Sequence, residues 1–493
     1  MRKAVIAVPP VRDFYFTPNR ASALGARVLL RELKEAGWDS VLMNLPLIEK
    51  SRTISLPCEL EYLTPFLIPD ESGPLSWFTA YHHFGPSFSE TAEMIARENP
   101  ELLLISSFAW AYAGEARKLA EAAAVKMPNL RIVIGGHGPT ALPEFFLNSV
   151  HPVFPDTALF AGVVSGEIEG YGELILSLKS ESRFLDLRKM KTTEELKPIA
   201  GESICRAGRR SISIMLTRGC PRNCRFCSNF ICHGRKFRSS PAKLWKSEVT
   251  RAAKESGEPS DKLHLNIEDD NILFLKNDFF SFLETLRTLY PDISFSAENG
   301  LDYMLLDEED IPRLKDWGFT HLNLSLAVLS EESRGKEKRE GNPEKLEGLI
   351  HRCKTVELPV TTHFICGLAG DSTGDIVKTL RFLDRLPTQT GISNFYPVPG
   401  LEGFTDKELF LKNPPKLALG SSVFPWNTSM SSSQMITAFR LARWSNFRKK
   451  HENEDKLYTR IKETRRIHTI IRGKRTIIPV PNLDNDMVEA FFS

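Results

Sequence analysis

Residues 217–227 read TRGCPRNCRFC, and three of the eight cysteines of the chain fall inside this stretch, at Cys220, Cys224 and Cys227. The spacing is CxxxCxxC. Soft thiolate ligands suit iron–sulfur clusters, and three thiolates on one tight loop can hold three of the four irons of a 4Fe–4S cluster. The fourth iron is then left open to a substrate-like ligand. We therefore predict a cluster with one vacant coordination site at this loop.

A structural zinc site is the alternative interpretation of these cysteines. Zinc accepts four Cys or His ligands, and Cys232 or His233 could complete such a set. Zinc sites usually repeat CxxC pairs, whereas this loop has no second pair and carries the aromatic residue Phe226 before its last cysteine. The other cysteines are isolated in the sequence, and isolated cysteines usually serve as buried, small apolar residues. We therefore assign no role to Cys58, Cys205, Cys232, Cys353 and Cys366.

The cysteine loop directly follows the first strand of an alternating strand–helix series. The predicted strands are 211–216, 263–268, 293–297, 321–326, 361–366 and 392–396. Helical patterns separate them at about 240–256, 277–289, 308–316, 343–357 and 373–386. Six parallel strands with five connecting helices suit a partial β/α barrel, in which catalytic groups lie at the carboxyl ends of the strands. The cysteine loop occupies such an end.

An earlier series of the same kind fills the N-terminal part of the chain. Its predicted strands are 4–8, 40–45, 102–107, 131–134 and 160–165, with helices at about 22–36, 88–98, 114–126 and 169–179. This alternation predicts a doubly wound, Rossmann-like parallel sheet, which binds ligands where loops leave the carboxyl ends of its strands. The candidate contacts of a large flat cofactor in those loops are Pro10, Ser106, Ser107, Gly135, Gly136, His137, Gly166 and Glu167.

The length of 493 residues exceeds the roughly 250–300 residues at which a single core stops growing, so we expect several domains. The predicted divisions are the Rossmann-like domain at 1–185, a charged linker without a sustained apolar period at 186–208, the barrel at 209–400 and a smaller, mainly helical domain at 401–493.

The charge balance gives no argument for a nucleic-acid or membrane partner, because 64 Lys and Arg face 62 Asp and Glu. No segment approaches the ~20 apolar residues that a membrane span needs, and the apolar run at the N-terminus is too short for a signal peptide. We expect a cytoplasmic protein without stable membrane insertion.

The cysteine loop and the motifs around it resemble the radical S-adenosylmethionine (SAM) superfamily, specifically its branch with an N-terminal cobalamin-binding domain. The flanking motifs follow the barrel strands in order: RSS at 238–240, EDDN at 268–271, GLAGDS at 367–372 and YPVPG at 396–400. The resemblance covers about residues 1–400. It implies three cofactors, namely a 4Fe–4S cluster, S-adenosylmethionine and cobalamin.

The resemblance also implies which residues would serve SAM. Cluster-bound SAM would be cleaved by one electron, and the resulting 5'-deoxyadenosyl radical would abstract hydrogen. Phe226 would lie on the adenine side of the cluster loop, and Gly367 would let a strand end approach the adenosine. Asn299 and Ser325 are candidates for the ribose or the methionyl group, although strand-end polar residues often only satisfy loop backbone. No catalytic residue beyond the cluster ligands is predicted.

The cobalamin resemblance rests on the loops GGHGPT at 135–140 and SGEIEG at 165–170. The chain lacks the DxHxxG signature through which many cobalamin proteins present a histidine to cobalt, so a histidine lower ligand is not predicted. His137 is expected to pack, or to bond to backbone, within its loop. Gly135, Gly136 and Gly166 could equally be ordinary turn glycines.

Two further segments each keep two interpretations. Residues 51–87 form a long connection rich in proline and aromatic residues, either a lid over the cofactor face or a packing insertion that seals the two domains. Residues 440–475 are basic, with Trp444, Phe447 and Tyr458 interleaved. That pattern fits binding of RNA or an acidic peptide, or the solvated face of an amphipathic helix.

The function that the resemblance implies is methyl transfer to an unactivated carbon of an unidentified small-molecule, peptide or protein substrate, using methylcobalamin and the 5'-deoxyadenosyl radical. A flavodoxin or ferredoxin reductase would supply electrons. The alternative within the same class is radical cyclisation, rearrangement or oxidation without methylation. A zinc-stabilised nucleic-acid-binding module is the alternative from another class.

Overall fold

The computed structural model describes residues 2–17, 22–48, 51–67, 77–78, 80–178, 183–191, 195–206, 209–255, 263–426, 429–450, 466–471, 474–479 and 483–492. No helix in these ranges is long and apolar enough to cross a membrane.

The N-terminal region contains a six-stranded parallel sheet whose strand order is β3-β1-β6-β7-β8-β9. Most residues of its inner strands are buried, as expected when helices cover both faces of a parallel sheet. The order reverses between β1 and β6, which creates the crevice where doubly wound sheets bind ligands. The strands up to this point are β1 (Lys3–Val8), β2 (Val11–Asp13), β3 (Asp39–Asn44), β4 (Arg52–Ile54), β5 (Tyr81–Phe84), β6 (Leu102–Ser106), β7 (Arg131–Gly135), β8 (Gly162–Ser165) and β9 (Phe184–Asp186).

Six helices accompany these strands, and the predicted doubly wound fold is confirmed. They are α1 (Leu24–Glu35), α2 (Phe88–Arg97), α3 (Ala113–Lys126), α4 (His137–Ala141), α5 (Glu144–Leu147) and α6 (Gly172–Ser177). A capping box between Ser87 and Glu90 fixes the start of α2. A small antiparallel sheet of order β2-β5-β4 was not predicted, because strands of three or four residues are too short to show a period.

The second region is the predicted partial barrel, with six parallel strands and their five connecting helices. Strands β11, β14 and β15 pair in one sheet and β16, β17 and β18 in another, and isolated parallel bridges at Phe295–Phe319 and Leu301–Leu324 join the two. The strands are β10 (Ile199–Arg206), β11 (Arg209–Met215), β12 (Thr217–Arg218), β13 (Arg238–Ser239), β14 (Leu263–Ile267), β15 (Ser294–Ser296), β16 (Leu322–Ala327), β17 (Val360–Cys366) and β18 (Gln389–Asn394). The helices are α7 (Asn229–His233), α8 (Ala242–Glu255), α9 (Lys276–Leu289), α10 (Asp310–Trp317), α11 (Glu331–Lys336), α12 (Pro343–Thr355) and α13 (Thr373–Asp384).

The predicted linker at 186–208 contains regular structure. Strand β10 pairs antiparallel with β11 and extends the barrel sheet. Its partner is close in sequence, but Gly201 and Glu202 interrupt the apolar pattern of the strand and the register shifts between Ala200 and Ser203. Periodicity alone therefore did not reveal it.

The C-terminal part is less separate and less helical than expected. It contains α14 (Lys407–Lys412), α15 (Ser432–Lys450), β19 (Arg466–Ile471), β20 (Lys474–Pro479) and α16 (Asn485–Phe492), with β19 and β20 forming a hairpin. Leu401 and Phe410 pack in the core of the N-terminal region, whereas Met435 and Leu441 pack in the core of the barrel. These residues bridge the two regions.

Three basic residues of α15 contact the rest of the protein, whereas Arg443 and Lys450 are exposed. Arg440 is fully buried, Arg448 pairs with Asp384 at 2.7 Å, and Lys449 donates to two barrel carbonyl oxygens at 2.6 and 2.9 Å. Neither the solvated-helix nor the RNA interpretation describes these three side chains. Residues 451–465 and 472–473 of the predicted basic segment lie outside the described residues, and the rest of it beyond α15 belongs to the β19–β20 hairpin.

Candidate cofactor and active site

A cavity of about 550 Å³ lies between the carboxyl edge of the N-terminal sheet and the mouth of the barrel, and we call it the interdomain cavity. Its N-terminal wall includes the ends of β6, β7 and β8, next to the point where the strand order reverses. Its barrel wall contains Met215, Arg218, Asn229, Cys232, His233, Glu268, Asp269, Asp270 and Asn299. The two strand-end regions that the sequence singled out therefore face one space.

Most of the predicted cobalamin contacts line this cavity. The lining residues among them are Ser106, Gly135, Gly136, His137, Gly166 and Glu167. Pro10 and Ser107 are not among the described lining residues. Ser107 lies directly behind the wall, because its carbonyl oxygen would be only 2.7 Å from a Cβ atom at Gly136.

Two glycines of this wall, Gly136 and Gly166, are required by the protein backbone. Gly136 has φ +101°, a conformation in which a Cβ atom is strained. Gly166 has φ +94°, and a Cβ atom there would lie 3.0 Å from the backbone nitrogen of Arg188. The turn geometry alone explains why both residues are glycine. Their position in the cavity wall is therefore not by itself evidence for a cofactor.

The part of the cavity between the sheet and its helices is apolar. Its walls are formed by Val8, Leu24, Val28, Leu29, Leu104, Val133, Val164 and Ile175. These side chains come from α1, α6 and four adjacent strands, so an apolar ligand group could insert between sheet and helix. We call this part the apolar slot.

Glu167 joins the two regions of the chain. Its carboxylate accepts from both terminal nitrogens of Arg238 at 2.7 and 2.8 Å and lies 2.7 Å from Nδ1 of His233. Although burial disfavours the charged carboxylate, the hydrogen bonds from His233 and Arg238 outweigh it and lower the pKa of Glu167 to about 2. We call these three residues the interdomain clasp. The sequence placed Glu167 at the cofactor but did not reveal its partners.

His137 begins α4, and its side chain is exposed to the interdomain cavity. Desolvation by the surrounding protein atoms, and then the nearby His233, lower the pKa of His137 to about 4, so the imidazole is neutral at neutral pH. The two imidazole centroids are 5.8 Å apart. The ring contact joins the two regions, and the role of His137 toward a cofactor stays a prediction.

The cysteine loop is fixed at its base by buried hydrogen bonds. Strands β12 and β13 pair across it, and the Thr217 hydroxyl and backbone N–H both donate to Asp269 at 2.6 Å. The Gly219 N–H donates to Asp270 at 2.8 Å. Gly219 has φ +79°, and a Cβ atom there would lie 2.5 Å from the carbonyl oxygen of Lys236. The loop can therefore turn only with glycine at this position.

The donor set of the loop fits an iron–sulfur cluster better than zinc. Cys224 is buried, Cys220 and Cys227 are half-buried, and all three thiols are free. In the part of the chain that the structure describes, no three Cys, His, Asp or Glu side chains converge so as to hold one metal ion. Zinc needs its ligands about 2.0–2.3 Å from one ion, whereas each cysteine of a cluster binds a different iron. His233, the suggested fourth zinc ligand, instead contacts Glu167.

Among the predicted SAM contacts, Asn299 is the one that the structure places in the described wall of the interdomain cavity. Its Nδ2 donates to the carbonyl oxygen of Glu268 at 3.1 Å. The others lie in the cluster loop or at strand ends and are not among the described residues lining this cavity: Phe226, Ser325 and Gly367. Their roles stay predictions.

Glu268 lines the interdomain cavity. In the sequence it was singled out only as part of the EDDN motif and not as a candidate site residue. Burial raises the pKa of Glu268 to about 7, and the nearby Glu298 acts in the same direction. Ser22, from the N-terminal region, donates to the Glu268 carboxyl at 3.1 Å, and Asn266 donates to it at 3.3 Å. The cavity therefore contains a carboxyl group that can hold or release a proton near neutral pH.

A second cavity of about 530 Å³ adjoins the first, and we call it the aromatic chamber. The two share the wall residues Phe108, His137, Asn229, Cys232 and Asn299. The aromatic side chains around the chamber are Tyr15, Trp77, Phe78, Phe108, Trp110, Tyr112, Tyr396 and Phe439. They come from widely separated segments, so no local pattern could have revealed them.

The described residues of the segment at 51–87 contact two parts of the molecule. Leu60 and Leu63 pack in the core of the barrel, and Trp77 and Phe78 line the aromatic chamber. Whether the segment covers a cofactor or seals the two domains stays a prediction.

Comparison with known proteins gives the class of this fold and site. Residues 214–383 match the Radical SAM superfamily, and this part of the chain is a radical SAM domain. The match includes the cysteine loop and strands β14 to β17. The resemblance drawn from the CxxxCxxC motif is thereby confirmed.

Particular relatives extend the comparison. The chain is 26% identical over 183 residues to bacteriochlorophyllide d C-8(2)-methyltransferase of Chlorobaculum tepidum, covering 36% of this chain and 40% of that protein. It is 24% identical over 290 residues to bacteriochlorophyllide d C-12(1)-methyltransferase of the same organism, covering 56% of this chain and 59% of that protein. The chain thus matches about half the length of these relatives.

The fold is also similar to that of TsrM, a radical S-adenosylmethionine methyltransferase from Kitasatospora setae. The TM-score is 0.53 with 14% identity to the structure with tryptophan substrate and a SAM analog, over 85% of this chain and 75% of that one. The structure of TsrM with cobalamin and a [4Fe-4S] cluster gives 0.51 with 13% identity, over 84% and 74%. This likeness confirms the combination of a Rossmann-like domain with a partial barrel.

Proposed function

We propose that this chain is a cobalamin-dependent radical SAM enzyme that transfers a methyl group to an unactivated carbon. One observation carries the proposal: the carboxyl edge of the doubly wound sheet and the mouth of the radical SAM barrel enclose one cavity. A methyl carrier held by the sheet and a radical generated at the barrel would then act on the same substrate. Both curated relatives are methyltransferases by name, which favours methylation over radical cyclisation, rearrangement or oxidation.

The cysteine loop is the proposed cluster site, with Cys220, Cys224 and Cys227 as ligands. When bound, the cluster supplies the electron that cleaves SAM, and cobalamin carries the methyl group. Strands β12 and β13 close the base of the loop, so its cysteines would hold the cluster at the carboxyl end of the first barrel strand. Phe226, Asn299, Ser325 and Gly367 are the proposed SAM contacts.

The N-terminal wall is the proposed cobalamin site. Gly135, Gly136 and Gly166 present backbone without side chains, and the apolar slot suits the aromatic base of the cofactor's nucleotide tail. Ser106, His137 and Glu167 complete the contacts. The interdomain clasp keeps Glu167 charged and oriented, so its role is to hold this wall against the barrel.

Two side chains of the barrel wall are suited to binding and proton transfer. Arg218 is 3% exposed and pairs with Glu169 of the N-terminal region at 3.4 Å, so it offers a fixed cation beside the cavity. Glu268 can hold a proton near neutral pH. We expect a flavodoxin or ferredoxin reductase as the electron donor and a cytoplasmic location.

Anaerobic reconstitution tests the proposal. The full chain is incubated with iron, sulfide and hydroxocobalamin, desalted, and analysed for iron, sulfide and cobalamin per chain, followed by reduction with dithionite in the presence of SAM. We expect about four irons and one cobalamin per chain and formation of 5'-deoxyadenosine. Failure of the chain to retain iron and sulfide, or the absence of adenosyl cleavage, would overturn the assignment.

A further inference from the structure

We propose that the aromatic chamber is the substrate site, and that it takes an uncharged, planar conjugated ring system. The inference rests on the proposed function, because the chamber adjoins the cavity assigned to the methyl carrier. It adds the chemical class of the substrate, which neither the sequence motifs nor the barrel defines.

The walls of the chamber offer aromatic planes in several orientations. The rings of Tyr15 and Phe78 stack at 5.5 Å with 17° between their planes, and Trp77 meets Phe439 edge-on at 4.6 Å. Tyr15 and Tyr396 are 40% and 46% exposed, so both remain accessible. Aromatic surfaces favour flat ligands, which they contact by offset stacking or edge-to-face packing.

The chamber is poorly suited to a charged ligand group. Its described lining contains no lysine or arginine. Its only carboxylate, that of Asp13, already accepts from the Phe14 N–H at 2.6 Å and from the Tyr112 and Ser421 hydroxyls at 2.8 Å. Since burying an uncompensated charge is costly, the buried part of the ligand should be neutral.

Three buried polar atoms of the lining lack a hydrogen-bond partner within the described residues. They are Nε1 of Trp77, Nε1 of Trp110 and Oδ1 of Asn394, in side chains that are 1%, 2% and 6% exposed. Buried polar atoms without partners are rare in folded proteins. All three atoms are closed off from the chamber by neighbouring atoms, so the accessible surface of the chamber is defined by its aromatic rings.

The position of the chamber is suited to radical methylation. Ser228, which directly follows Cys227, lies in its wall, so the chamber reaches the end of the cluster loop. His137 and Asn299 separate it from the interdomain cavity. A ring bound in the chamber would therefore lie beside both the proposed radical source and the proposed methyl donor.

Ligand binding to the full chain tests the inference. We would titrate two uncharged planar probes, indole and methyl pheophorbide a, and one flexible apolar probe, 1-dodecanol, following tryptophan fluorescence and, for the macrocycle, its absorption bands. The variants are Tyr396→Ala and Tyr15→Ala, each of which removes an accessible ring of the chamber. Phe154→Ala is the matched control, because this ring is 42% exposed and lies outside the chamber.

We expect saturable binding of at least one planar probe, weakened about tenfold or more by Tyr396→Ala and severalfold by Tyr15→Ala but unchanged by Phe154→Ala. The inference is overturned if neither planar probe saturates, if the three variants bind alike, or if dodecanol binds as tightly with the same sensitivity to the variants. Circular dichroism confirms that each variant is folded. Adenosyl cleavage in the same preparations separates the two claims, because it reports on the proposed function without depending on the probes.

Discussion

The cluster loop at 217–227 and the interdomain clasp assemble their residues in opposite ways. The three cysteines of the loop lie within eight positions of one another, so their spacing already describes a site. Glu167 is 66 residues from His233 and 71 from Arg238, and only the fold brings them together. The comparison shows that ligands arranged along one loop can be recognised in a sequence, whereas the contacts that hold two regions around a cavity cannot.

The largest effect is expected from removing a cluster ligand. Cys224→Ala should leave the chain folded but reduce bound iron and sulfide to a small fraction and lower 5'-deoxyadenosine formation at least about 100-fold, because a radical SAM cluster has no spare protein ligand. Iron analysis and product chromatography measure both quantities. Cys58→Ala, at an exposed cysteine outside the loop, should retain both. Equal iron and sulfide content in the two variants would show that the loop cysteines do not bind the cluster.

The second prediction compares two glycine-to-alanine substitutions that introduce similar backbone strain but differ in whether the new Cβ atom would displace the cysteine loop. Gly219 and Gly403 have φ +79° and +84°, but only at Gly219 would a Cβ atom meet backbone, 2.5 Å from the carbonyl oxygen of Lys236. Gly403→Ala should cost about 1 kcal/mol of unfolding free energy and retain the cluster. Gly219→Ala should lose more than half of the bound iron. Chemical denaturation and iron analysis check the pair, and similar iron content would show that the turn does not position the thiols.

The third prediction concerns the cavity wall and its dependence on pH. The pKa of Glu268 is raised to about 7 from 4.5, so its contribution to stability is full below about pH 4.5 and is lost as the pH rises through about 7. Glu268→Gln resembles the protonated form and does not titrate. Its free energy of unfolding should therefore rise by about 3 kcal/mol relative to that of the unchanged chain as the pH increases from 5 to 8. Denaturation across this range measures the difference. Glu347→Gln, at an exposed glutamate, should show no such trend.

The smallest effect is expected at the interdomain clasp. The pKa of Glu167 is lowered to about 2, so its stabilising contribution is present above about pH 4.5 and is lost as the pH falls toward 2. Glu167→Gln should cost about 2 kcal/mol at neutral pH, a penalty that shrinks in acid. Cobalamin retention should fall while iron content stays unchanged. Glu169→Gln, which loses one longer contact of 3.4 Å to Arg218, should have a weaker effect. Loss of iron would show that the clasp supports the loop instead.

The sequence predicted the fold well because both regions repeat strand–helix units with clear periods. It did not reveal β10, whose apolar pattern is interrupted, or the three-residue strands β2 and β4. It placed Glu167 and His137 correctly beside a cavity, because parallel strands end at one edge. It could not indicate the raised pKa of Glu268, which depends on burial between two regions.

The aromatic chamber illustrates the other limit of sequence reasoning. Tyr15, Trp110, Tyr396 and Phe439 belong to different parts of the chain, and each is unremarkable within its own segment. Only tertiary packing makes them neighbours. The C-terminal part, expected to be a separate helical domain, contributes Phe439 to this wall.

The most direct test of methyl transfer through cobalamin is to measure 5'-deoxyadenosine and S-adenosylhomocysteine together in anaerobic reactions with SAM. The iron-loaded chain should be compared with and without cobalamin. The account predicts that 5'-deoxyadenosine forms in both samples, whereas S-adenosylhomocysteine forms only in the cobalamin-loaded one, because the carrier must first accept a methyl group. Adenosyl cleavage with no S-adenosylhomocysteine, or with amounts that do not depend on cobalamin, would contradict it.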